Sequence, residues 1–488
     1  MANVVFPFPY PENLAIIFPE IIVALVAMAI LIYEVFCTNH TKQASAWFSI
    51  VGCVVAGFVM LDVHVPGSSL MTFYGFFVLD NFAVYSKLLL IISTIVGILL
   101  SIDYMKKGEN IGEYFALMLF ALLGMMLMAS AVNFVTLYLG MELMALSVYV
   151  LVGYQRDVLR SSEAALKYFI LGALSSGMLL YGISFVYGAT GSFDFVEMGQ
   201  MIAQDDHGMR TVVLLGMLFI MAGLAFKVSV APFHMWTPDA YEGAPTPITA
   251  FMSIAPKVAG FVIFIRVLVD VFPAMADEYV TILSWMAVLS MVVGNIAAIA
   301  QSSIKRMLAY STIGHVGFVL LGLIAGNADG YAGILTYLTI YLVMTMGVFA
   351  MILMMRREGI QGELIEDFSG LSKTRPGYAL AMGLLMFSMA GIPFLGGFWA
   401  KYAVFIAAVE AGHIVLALIG VLFSAVGAFY YIRVVKHIYF DDARVGFEFV
   451  RSPILQGVVI AASILVVIIG LFPSPIMDWC KVALQGMV

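Results

Sequence analysis

The sequence predicts an all-α polytopic membrane protein with about fourteen transmembrane helices, built around two inverted five-helix repeats. Three observations predict this fold. The 488-residue chain is 63% hydrophobic and 11% charged, and its mean hydropathy is +1.05. Apolar runs of about 20 residues, enough to cross a hydrocarbon core of roughly 30 Å, recur along most of the chain. Two of these runs are interrupted by a Pro-Phe pair that has a lysine nearby.

The apolar runs follow one another with short connections. In chain order the predicted spans are 14–36, 45–63, 76–101, 113–131, 133–154, 164–189, 210–241 with a break, 246–272, 279–300, 303–325, 331–355, 377–411 with a break, 413–438 and 453–477. They group into three N-terminal transmembrane helices (1–110), a first five-helix repeat (111–275), a second, inverted five-helix repeat (276–440) and a C-terminal transmembrane helix (441–488).

Basic residues predict the orientation, because lysine and arginine are retained on the cytoplasmic side of short loops. One set of alternate connections carries only Arg210 and, at the tail, Lys481. The other set carries Lys42, Lys106, Lys107, Arg156, Arg160, Lys305, Arg306, Arg356, Arg357, Lys373, Arg375, Arg433, Lys436, Arg444 and Arg451. Both termini are therefore expected on the non-cytoplasmic side. The start, MANVVFPFPYPENL, lacks a basic region, so no cleaved signal or transit peptide is expected.

The first interruption is KVSVAPFHMW (227–236), in which Lys227 precedes Pro232 by five residues. A lysine at the centre of a membrane helix costs roughly 2.5 to 3.5 kcal/mol, and proline removes a backbone hydrogen bond. The second interruption, SMAGIPFLGGFWAKY (388–402), contains Pro393 and Lys401.

Paired broken helices indicate a transport site, and the five-span spacing between these two forces the repeats into opposite orientations. Lys401 is interpreted as the counterpart of Lys227. The alternative is that glycine and proline merely kink both helices.

Three charged residues of the first predicted repeat need a reason to lie inside the membrane. Glu142 falls in FVTLYLGMELMALSVYVLV, and Lys227 is its expected partner, because a pair that opens and closes can store or release a proton. Lys257 follows Pro256 with no acid nearby in the sequence. Desolvated lysine can lose its proton whereas arginine cannot, so a row of lysines predicts a proton relay. The alternative for Glu142 and Lys227 is a static ion pair that fixes helix packing, and for Lys257 and Lys401 it is snorkelling or a static contact.

Four residues form a secondary set. Glu163 and Lys167 have i,i+4 spacing, which also fits a surface pair. His234 and His315 are candidates to bridge waters between lysines, although a lone histidine is more often structural. Charges near span ends are interpreted as packing or interface residues: Asp80, Lys87, Glu34 and Arg266. Cys37, Cys53 and Cys480 are too scattered to predict a metal or iron–sulfur site.

Several long motifs carry a family resemblance. They are APFHMWTPDAYEGAPTPITAFMS (231–253), LYLGMELMALSVYVL, EAALKYFILGALSSG, KRMLAYSTIGHVGF and GIPFLGGFWAKY. Together they resemble the antiporter-like membrane subunits of respiratory NADH:quinone oxidoreductase (complex I). The resemblance covers nearly the whole chain and implies a fourteen-helix fold with inverted repeats. Lys401 favours the N-type over the M-type subunit, and the absence of a long lateral helix after the last span disfavours the L-type.

By motif match, the resemblance implies a proton relay made of Glu142, Lys227, Lys257 and Lys401. It implies a proton-translocating subunit of an NADH:quinone oxidoreductase in a bacterial plasma (inner) membrane, without a redox site of its own. NAD, FMN, iron–sulfur clusters and quinone are then expected in other subunits of the membrane and peripheral arms. The partners expected are those subunits and the lipid bilayer, with no nucleic acid.

Two other classes of function remain open at this point. One is a cation/proton antiporter subunit or the membrane subunit of a hydrogenase-type complex. The other is a purely structural membrane spacer, which four buried titratable groups disfavour.

Overall fold

The computed structural model describes residues 15–36, 44–105, 111–204, 208–357, 360–443 and 447–485. Lys42, Lys106, Lys107 and Arg444 of the predicted cytoplasmic set lie outside these ranges, as do Cys37 and residues 1–14. In the described part, 13 helices are long and apolar enough to cross a membrane. The broken helix that begins at Pro376 supplies a further span in two shorter pieces. The predicted all-helical membrane fold is therefore confirmed.

Helices of the N-terminal half alternate with short connections, as the apolar runs predict. Their bounds are α1 (Phe18–Phe36), α2 (Ala44–Val63), α3 (Asn81–Met105), α4 (Ile111–Ala129), α5 (Phe134–Val152), α6 (Leu159–Thr190), α7 (Phe195–Gln204), α8 (Arg210–Val228), α9 (Trp236–Gly243), α10 (Thr246–Met252) and α11 (Ala255–Arg266). A π-helical turn, Val267–Val271, extends α11.

The C-terminal half continues the pattern. Its helices are α12 (Ala276–Ile299), α13 (Ile304–Ala325), α14 (Ala328–Met354), α15 (Leu371–Thr374), α16 (Pro376–Ala390), α17 (Gly396–Glu410), α18 (Ile414–Phe440), α19 (Pro453–Leu471) and α20 (Ser474–Ala483). Single 3₁₀ turns occupy Phe73–Gly75, Pro273–Met275 and Ile365–Phe368.

Two small antiparallel sheets lie between helices, and the sequence analysis did not predict them. The first is the hairpin of β1 (Leu70–Thr72) and β2 (Phe77–Leu79), in which Leu70 pairs with Leu79. The second has the order β4-β3-β5, with β3 (Met355–Arg357) between β4 (Ile360–Gln361) and β5 (Phe447–Phe449). The second sheet joins the connection after α14 to the connection before α19.

The centre of the bundle is formed by α10–α11, α13 and α14. Their most apolar windows are 100%, 94% and 89% buried within the chain, respectively, whereas those of α1 and α18 are only 28% buried. An apolar helix that faces outward suits a lipid environment, so polar groups on the central helices are shielded from lipid by protein. Lys257 on α11 and His315 on α13 belong to this centre.

Glycines bring pairs of helices into backbone contact at two equivalent places. A Cβ built on Gly124 of α4 would lie 2.5 Å from the carbonyl oxygen of Gly140 on α5. A Cβ built on Gly294 of α12 would lie 2.3 Å from the amide nitrogen of Gly314 on α13. Such close crossings stabilise membrane helix pairs by van der Waals packing. The first helix pair of each predicted repeat is therefore held in the same way.

Candidate functional site

The first broken helix ends where the sequence predicts an interruption. At the end of α8, Ser229 adopts a left-handed conformation (φ 68), and the Val230 amide donates to the Ala225 carbonyl at 2.9 Å. This is a helix-ending cap, and it leaves the Val228 carbonyl without an intrahelical partner. The chain then runs without regular structure until α9, where the Trp236 indole donates back to the Phe226 carbonyl at 3.0 Å.

Lys257 occupies this break from the neighbouring helix α11. Its Nζ donates to the Ser229 hydroxyl at 2.8 Å and to the Val228 carbonyl at 3.4 Å. The side chain is 2% exposed, and its ammonium lies 5.9 Å from the Trp236 ring centroid and 5.7 Å from that of Tyr241. A cation at a helix C-terminus is favoured by the helix dipole, and aromatic faces add to that attraction. The break thus provides neutral partners for a buried ammonium.

The second broken helix has the same ending in the same register. Gly391 follows α16 in a left-handed conformation (φ 90), and the Ile392 amide donates to the Phe387 carbonyl at 3.1 Å. Lys401 on α17 is 7% exposed and donates to the Ala390 carbonyl at 2.7 Å and to the Ser424 hydroxyl at 2.8 Å. Gly391 also makes room for this lysine, because a Cβ there would lie 3.0 Å from Lys401 Cδ.

The two breaks therefore share one arrangement of groups. In each, a buried lysine binds the last carbonyl of the upstream half-helix and one serine hydroxyl. Lys257 plays this part at the first break and Lys401 at the second. Counting from the left-handed residue of each cap, the position that corresponds to Lys227 is Met389. By contacts, Lys401 thus corresponds to Lys257 and not to Lys227.

Lys227 and Glu142 do not form the ion pair that the sequence predicts. Lys227, on the last turn of α8, is 4% exposed, and its Nζ has no hydrogen-bond partner among the described residues. Glu142 on α5 instead accepts a short hydrogen bond from the Ser176 hydroxyl of α6. The two charges interact electrostatically without contact. The first repeat thus holds an unpartnered buried cation beside a hydrogen-bonded acid.

The secondary residues divide into two groups. Glu163 and Lys167 form the predicted i,i+4 pair at 2.8 Å, with 58% and 46% of their side chains exposed. The rings of His234 and His315 hydrogen-bond to none of the described lysines. His234 lies partly buried in the first break, whereas His315 lies in the bundle centre between two tyrosine hydroxyls.

Lys305, which the sequence analysis assigned to a loop, is buried at the start of α13. It is 2% exposed, and its Nζ donates to the carbonyls of Glu242 at 3.0 Å and Ala244 at 2.7 Å and to Glu363 at 3.3 Å. It thereby binds the C-terminal end of α9, the helix that follows the first break. The sequence feature that could have indicated a helical position for Lys305 is Ser303. The Ser303 hydroxyl caps the N-terminus of α13, so the residues that follow it lie inside the helix.

A network of charges surrounds Lys305. It contains the ion pairs Arg306–Asp239, Arg306–Glu242, Arg160–Glu242, Arg160–Glu363 and Lys167–Asp239. These residues come from α6, α9, α13 and the connection before Ile365, so the network joins the two predicted repeats. All of its arginines belong to the predicted cytoplasmic set.

The charges that the sequence analysis interpreted as packing residues include one buried and one half-buried ion pair. Lys87 on α3 lies 2.6 Å from Glu20 on α1, and both side chains are almost fully buried. Arg266 lies 2.8 Å from Asp80, just before α3. Burial raises the pKa of Asp80, but the Arg266 guanidinium outweighs burial and holds the pKa below its usual range. These pairs connect α1, α3 and α11.

Metal ligands are not grouped in the described part of the chain. None of the described residues form a cluster of three or more histidine, cysteine, aspartate or glutamate side chains that could hold a metal ion. The described cysteines, Cys53 and Cys480, are free and buried.

Comparison with known sequences gives close similarity over nearly the whole chain. A family described as NADH:quinone oxidoreductase/Mrp antiporter, transmembrane, matches residues 131–427. The NADH-quinone oxidoreductase subunit N of Rhodospirillum rubrum is 45% identical over 471 residues, which is 96% of both chains. The subunit N of Magnetococcus marinus is 46% identical over 466 residues, covering 95% of this chain and 96% of its own.

Solved structures with the same fold come from several membrane complexes. A chain of respiratory complex I from Thermus thermophilus with bound aureothin superimposes with a TM-score of 0.81 at 31% identity, covering 94% of this chain and 98% of its own. A chain of the archaeal membrane-bound sulfane sulfur reductase gives a TM-score of 0.85 at 26% identity, covering 96% and 97%. A chain of the Mrp complex from Dietzia gives 0.77 at 21% identity, covering 98% and 97%, which is likeness of fold alone.

Proposed function

The chain belongs to the NADH:quinone oxidoreductase/Mrp antiporter family, among the subunit N proteins of NADH:quinone oxidoreductase, and on this premise we propose that Glu142, Lys227, Lys257 and Lys401 carry the protons it translocates. It is an antiporter-like, proton-pumping membrane subunit of respiratory complex I. The antiporter and hydrogenase alternatives are set aside, because the subunit N of Rhodospirillum rubrum is 45% identical over 96% of the chain.

One observation carries the proposal. Lys257 and Lys401 each rest on the final carbonyl of a broken helix and on a serine hydroxyl, and no carboxylate of the described residues contacts either lysine. A carbonyl and a hydroxyl accept hydrogen bonds from an ammonium, and the hydroxyl can turn to donate to a neutral amine. Both protonation states of the lysine thus find partners, which is what a group that binds and releases protons requires.

Glu142 and Lys227 supply the second element of the relay. Lys227 is buried and Glu142 is half-buried, and they lie close enough to interact without being in contact, so each can change its protonation state without first breaking an ion pair. Loss of the proton from Glu142 favours a proton on Lys227, and the reverse also holds. Two such coupled groups can hand a proton onward when the charge of one changes.

The two five-helix repeats are proposed to span residues 111–275 and 276–440, between the N-terminal helices (1–110) and the C-terminal helix (441–488). The shared cap geometry at Ser229 and Gly391 supports this division, and so do the Gly124–Gly140 and Gly294–Gly314 crossings. The odd helix number in each repeat then sets the two breaks in opposite orientations.

We propose that other subunits of the complex supply its redox groups. We place NAD, FMN, the iron–sulfur clusters and quinone in other subunits of its membrane and peripheral arms. We place the chain in a bacterial plasma membrane with both termini on the non-cytoplasmic side. The basic network of Arg160, Lys305 and Arg306 then lies at the cytoplasmic end.

The test separates a relay from a fixed charge. Lys257→Arg and Lys401→Arg keep a positive charge that does not dissociate, so proton pumping in proteoliposomes containing the whole complex should fall nearly as far as in the alanine variants. Glu142→Ala and Lys227→Ala should also lower pumping while the complex assembles. As a matched control, Lys373→Arg changes an exposed lysine paired with Asp442 and should pump normally. Normal pumping by the arginine variants at 257 and 401 would establish a fixed electrostatic role instead.

A further inference from the structure

A hydrogen-bonded row of side chains crosses the centre of the second repeat. His315 Nδ1 lies 2.5 Å from the Tyr337 hydroxyl on α14, and Nε2 lies 2.7 Å from the Tyr431 hydroxyl on α18. The Tyr431 hydroxyl also makes a short hydrogen bond with Ser311, one turn before His315 on α13. All four side chains are at most 3% exposed. The row therefore joins three helices without reaching solvent.

The row passes close to the second lysine site. The Phe318 ring lies between them, with its centroid 6.1 Å from that of His315 and 5.3 Å from Lys401 Nζ. The Lys401 ammonium and His315 interact electrostatically. The Tyr341 ring also lies 5.0 Å from the His315 ring, and its hydroxyl bonds to Thr312 at 2.8 Å. The row is thus separated from Lys401 by one aromatic ring.

The chemistry of imidazole gives this row two equivalent states. A neutral imidazole has one N–H donor and one lone-pair acceptor, whereas a tyrosine hydroxyl can do both. When Nε2 accepts from Tyr431, Nδ1 donates to Tyr337, and the other tautomer reverses both hydrogen bonds. Because each ring nitrogen faces a hydroxyl, both tautomers satisfy all of their hydrogen bonds.

We propose that Tyr337 and Tyr431 are proton-relay residues, which pass protons through His315 on the path to Lys401. This inference rests on the proposed function of the lysines and extends it to two further side chains. In the transfer, Ser311 takes a proton from a water molecule and passes its own hydroxyl proton to Tyr431, and Tyr431 gives its hydroxyl proton to Nε2. Nδ1 then gives its proton to Tyr337, which releases its own hydroxyl proton to a second water molecule on the way to Lys401. Each group takes one proton and releases one, and only O–H and N–H bonds are formed and broken. Rotation of the hydroxyls and return of the tautomer reset the row.

A scaffold role predicts a different dependence on the hydroxyl groups. In a scaffold the tyrosine rings fill space and orient the histidine. Replacing either tyrosine with phenylalanine would then preserve most of the pumping activity. In a relay the hydroxyl itself carries the proton, and its removal leaves a gap that the proton cannot cross. The hydroxyl deletion therefore separates the two roles.

The experiment uses the whole complex in proteoliposomes, with NADH and quinone added and proton uptake followed by a dye. Tyr431→Phe and Tyr337→Phe should each lower the pumping rate at least about tenfold at normal complex abundance. The double variant should fall no further than either single variant, because one gap already interrupts the row. Tyr114→Phe is the matched control: its side chain is 0% exposed, and its hydroxyl bonds to Ser101 at 3.0 Å, away from the row. It should pump like the unchanged complex.

A second variant keeps the test decisive where the phenylalanine variants do not assemble. A fluorotyrosine at position 431 keeps the hydroxyl and its hydrogen bonds but makes the phenol more acidic. A relay residue should then shift the pH profile of pumping, whereas a scaffold residue should leave it unchanged. Wild-type pumping by assembled Tyr431→Phe or Tyr337→Phe overturns the inference, and so does an unchanged pH profile of the fluorotyrosine variant. If the variants at Lys257 and Lys401 stop pumping while the tyrosine variants do not, only this inference fails.

Discussion

The buried Lys305 provides a test of how the two predicted repeats are held together. Its Nζ binds the carbonyls of Glu242 and Ala244 at the end of α9 and the carboxylate of Glu363, and its side chain is 2% exposed. Lys305→Met keeps the length and the apolar stem of the side chain but removes the three donors. The change therefore tests the charge and its hydrogen bonds and leaves a core of similar volume.

The expected magnitude follows from burial. Removing the Lys305 ammonium leaves the Glu242 and Ala244 carbonyls without this donor, at roughly 1 to 3 kcal/mol each, whereas Glu363 is 29% exposed and keeps its ion pair with Arg160. The exposed pair Lys373–Asp442, with 57% and 96% of its side chains exposed, supplies the control, and such pairs contribute at most about 1 kcal/mol. A difference of about 3 kcal/mol between Lys305→Met and Lys373→Met corresponds to roughly a hundredfold in an equilibrium or rate constant.

The assay is the half-life of this chain within the purified complex at a fixed elevated temperature, measured as its release on native gels. Irreversible loss reports an unfolding rate, so the comparison is made between rates. We expect the Lys305→Met chain to be released from the complex roughly a hundredfold faster than the Lys373→Met chain. Half-lives within about twofold of each other would refute the reasoning, because Lys305 would then contribute no more than a surface lysine.

Two further predictions concern the breaks and the Asp80–Arg266 ion pair. Gly391→Ala should lower pumping, because a Cβ there would lie 3.0 Å from Lys401 Cδ and shift the lysine, whereas Gly412→Ala, with a similar φ of 88 and open space around it, should cost stability alone. Pumping by Gly391→Ala at the rate of Gly412→Ala would contradict this. Asp80 has a lowered pKa beside Arg266, so the pair stabilises the fold above pH 3.8 and loses that contribution as the pH falls below this value. Asp80→Asn should therefore lower the melting temperature more at pH 7 than near pH 3; equal effects at both values would contradict it.

The sequence was sufficient to predict the spans and both helix breaks, because their causes are local. Hydropathy over about 20 residues marks a membrane helix, and a Pro-Phe pair within such a run marks a break. It was also sufficient to select Lys257 and Lys401 as buried, since each is a single charge within an apolar run. The interruption between α10 and α11 was missed, although Pro256 follows it directly and removes the amide that a continuous helix needs.

Side-chain partners could not be predicted, because they depend on the rotation of each helix about its axis and on neighbours distant in sequence. Glu142 lies on α5 and its hydrogen-bond donor, Ser176, on α6, and nothing in either segment selects the other. The expected Glu142–Lys227 ion pair was wrong for this reason. The row through His315 likewise depends on Tyr337 and Tyr431, which are ordinary aromatic residues of apolar helices until the fold brings their hydroxyls to one imidazole.

The partners of the buried lysines separate those suited to proton exchange from those suited to structure. Lys87 contacts the carboxylate of Glu20 at 2.6 Å, and a proton lost from that ammonium would leave a buried anion without its counter-charge. Lys257 and Lys401 instead face a carbonyl at a helix C-terminus and a serine hydroxyl. A helix end attracts a cation through its dipole but carries no full charge, so nothing is stranded when the lysine becomes neutral. A broken helix therefore gives a membrane protein a way to hold a lysine that can both keep and release its proton, which is the role we propose for Lys257 and Lys401.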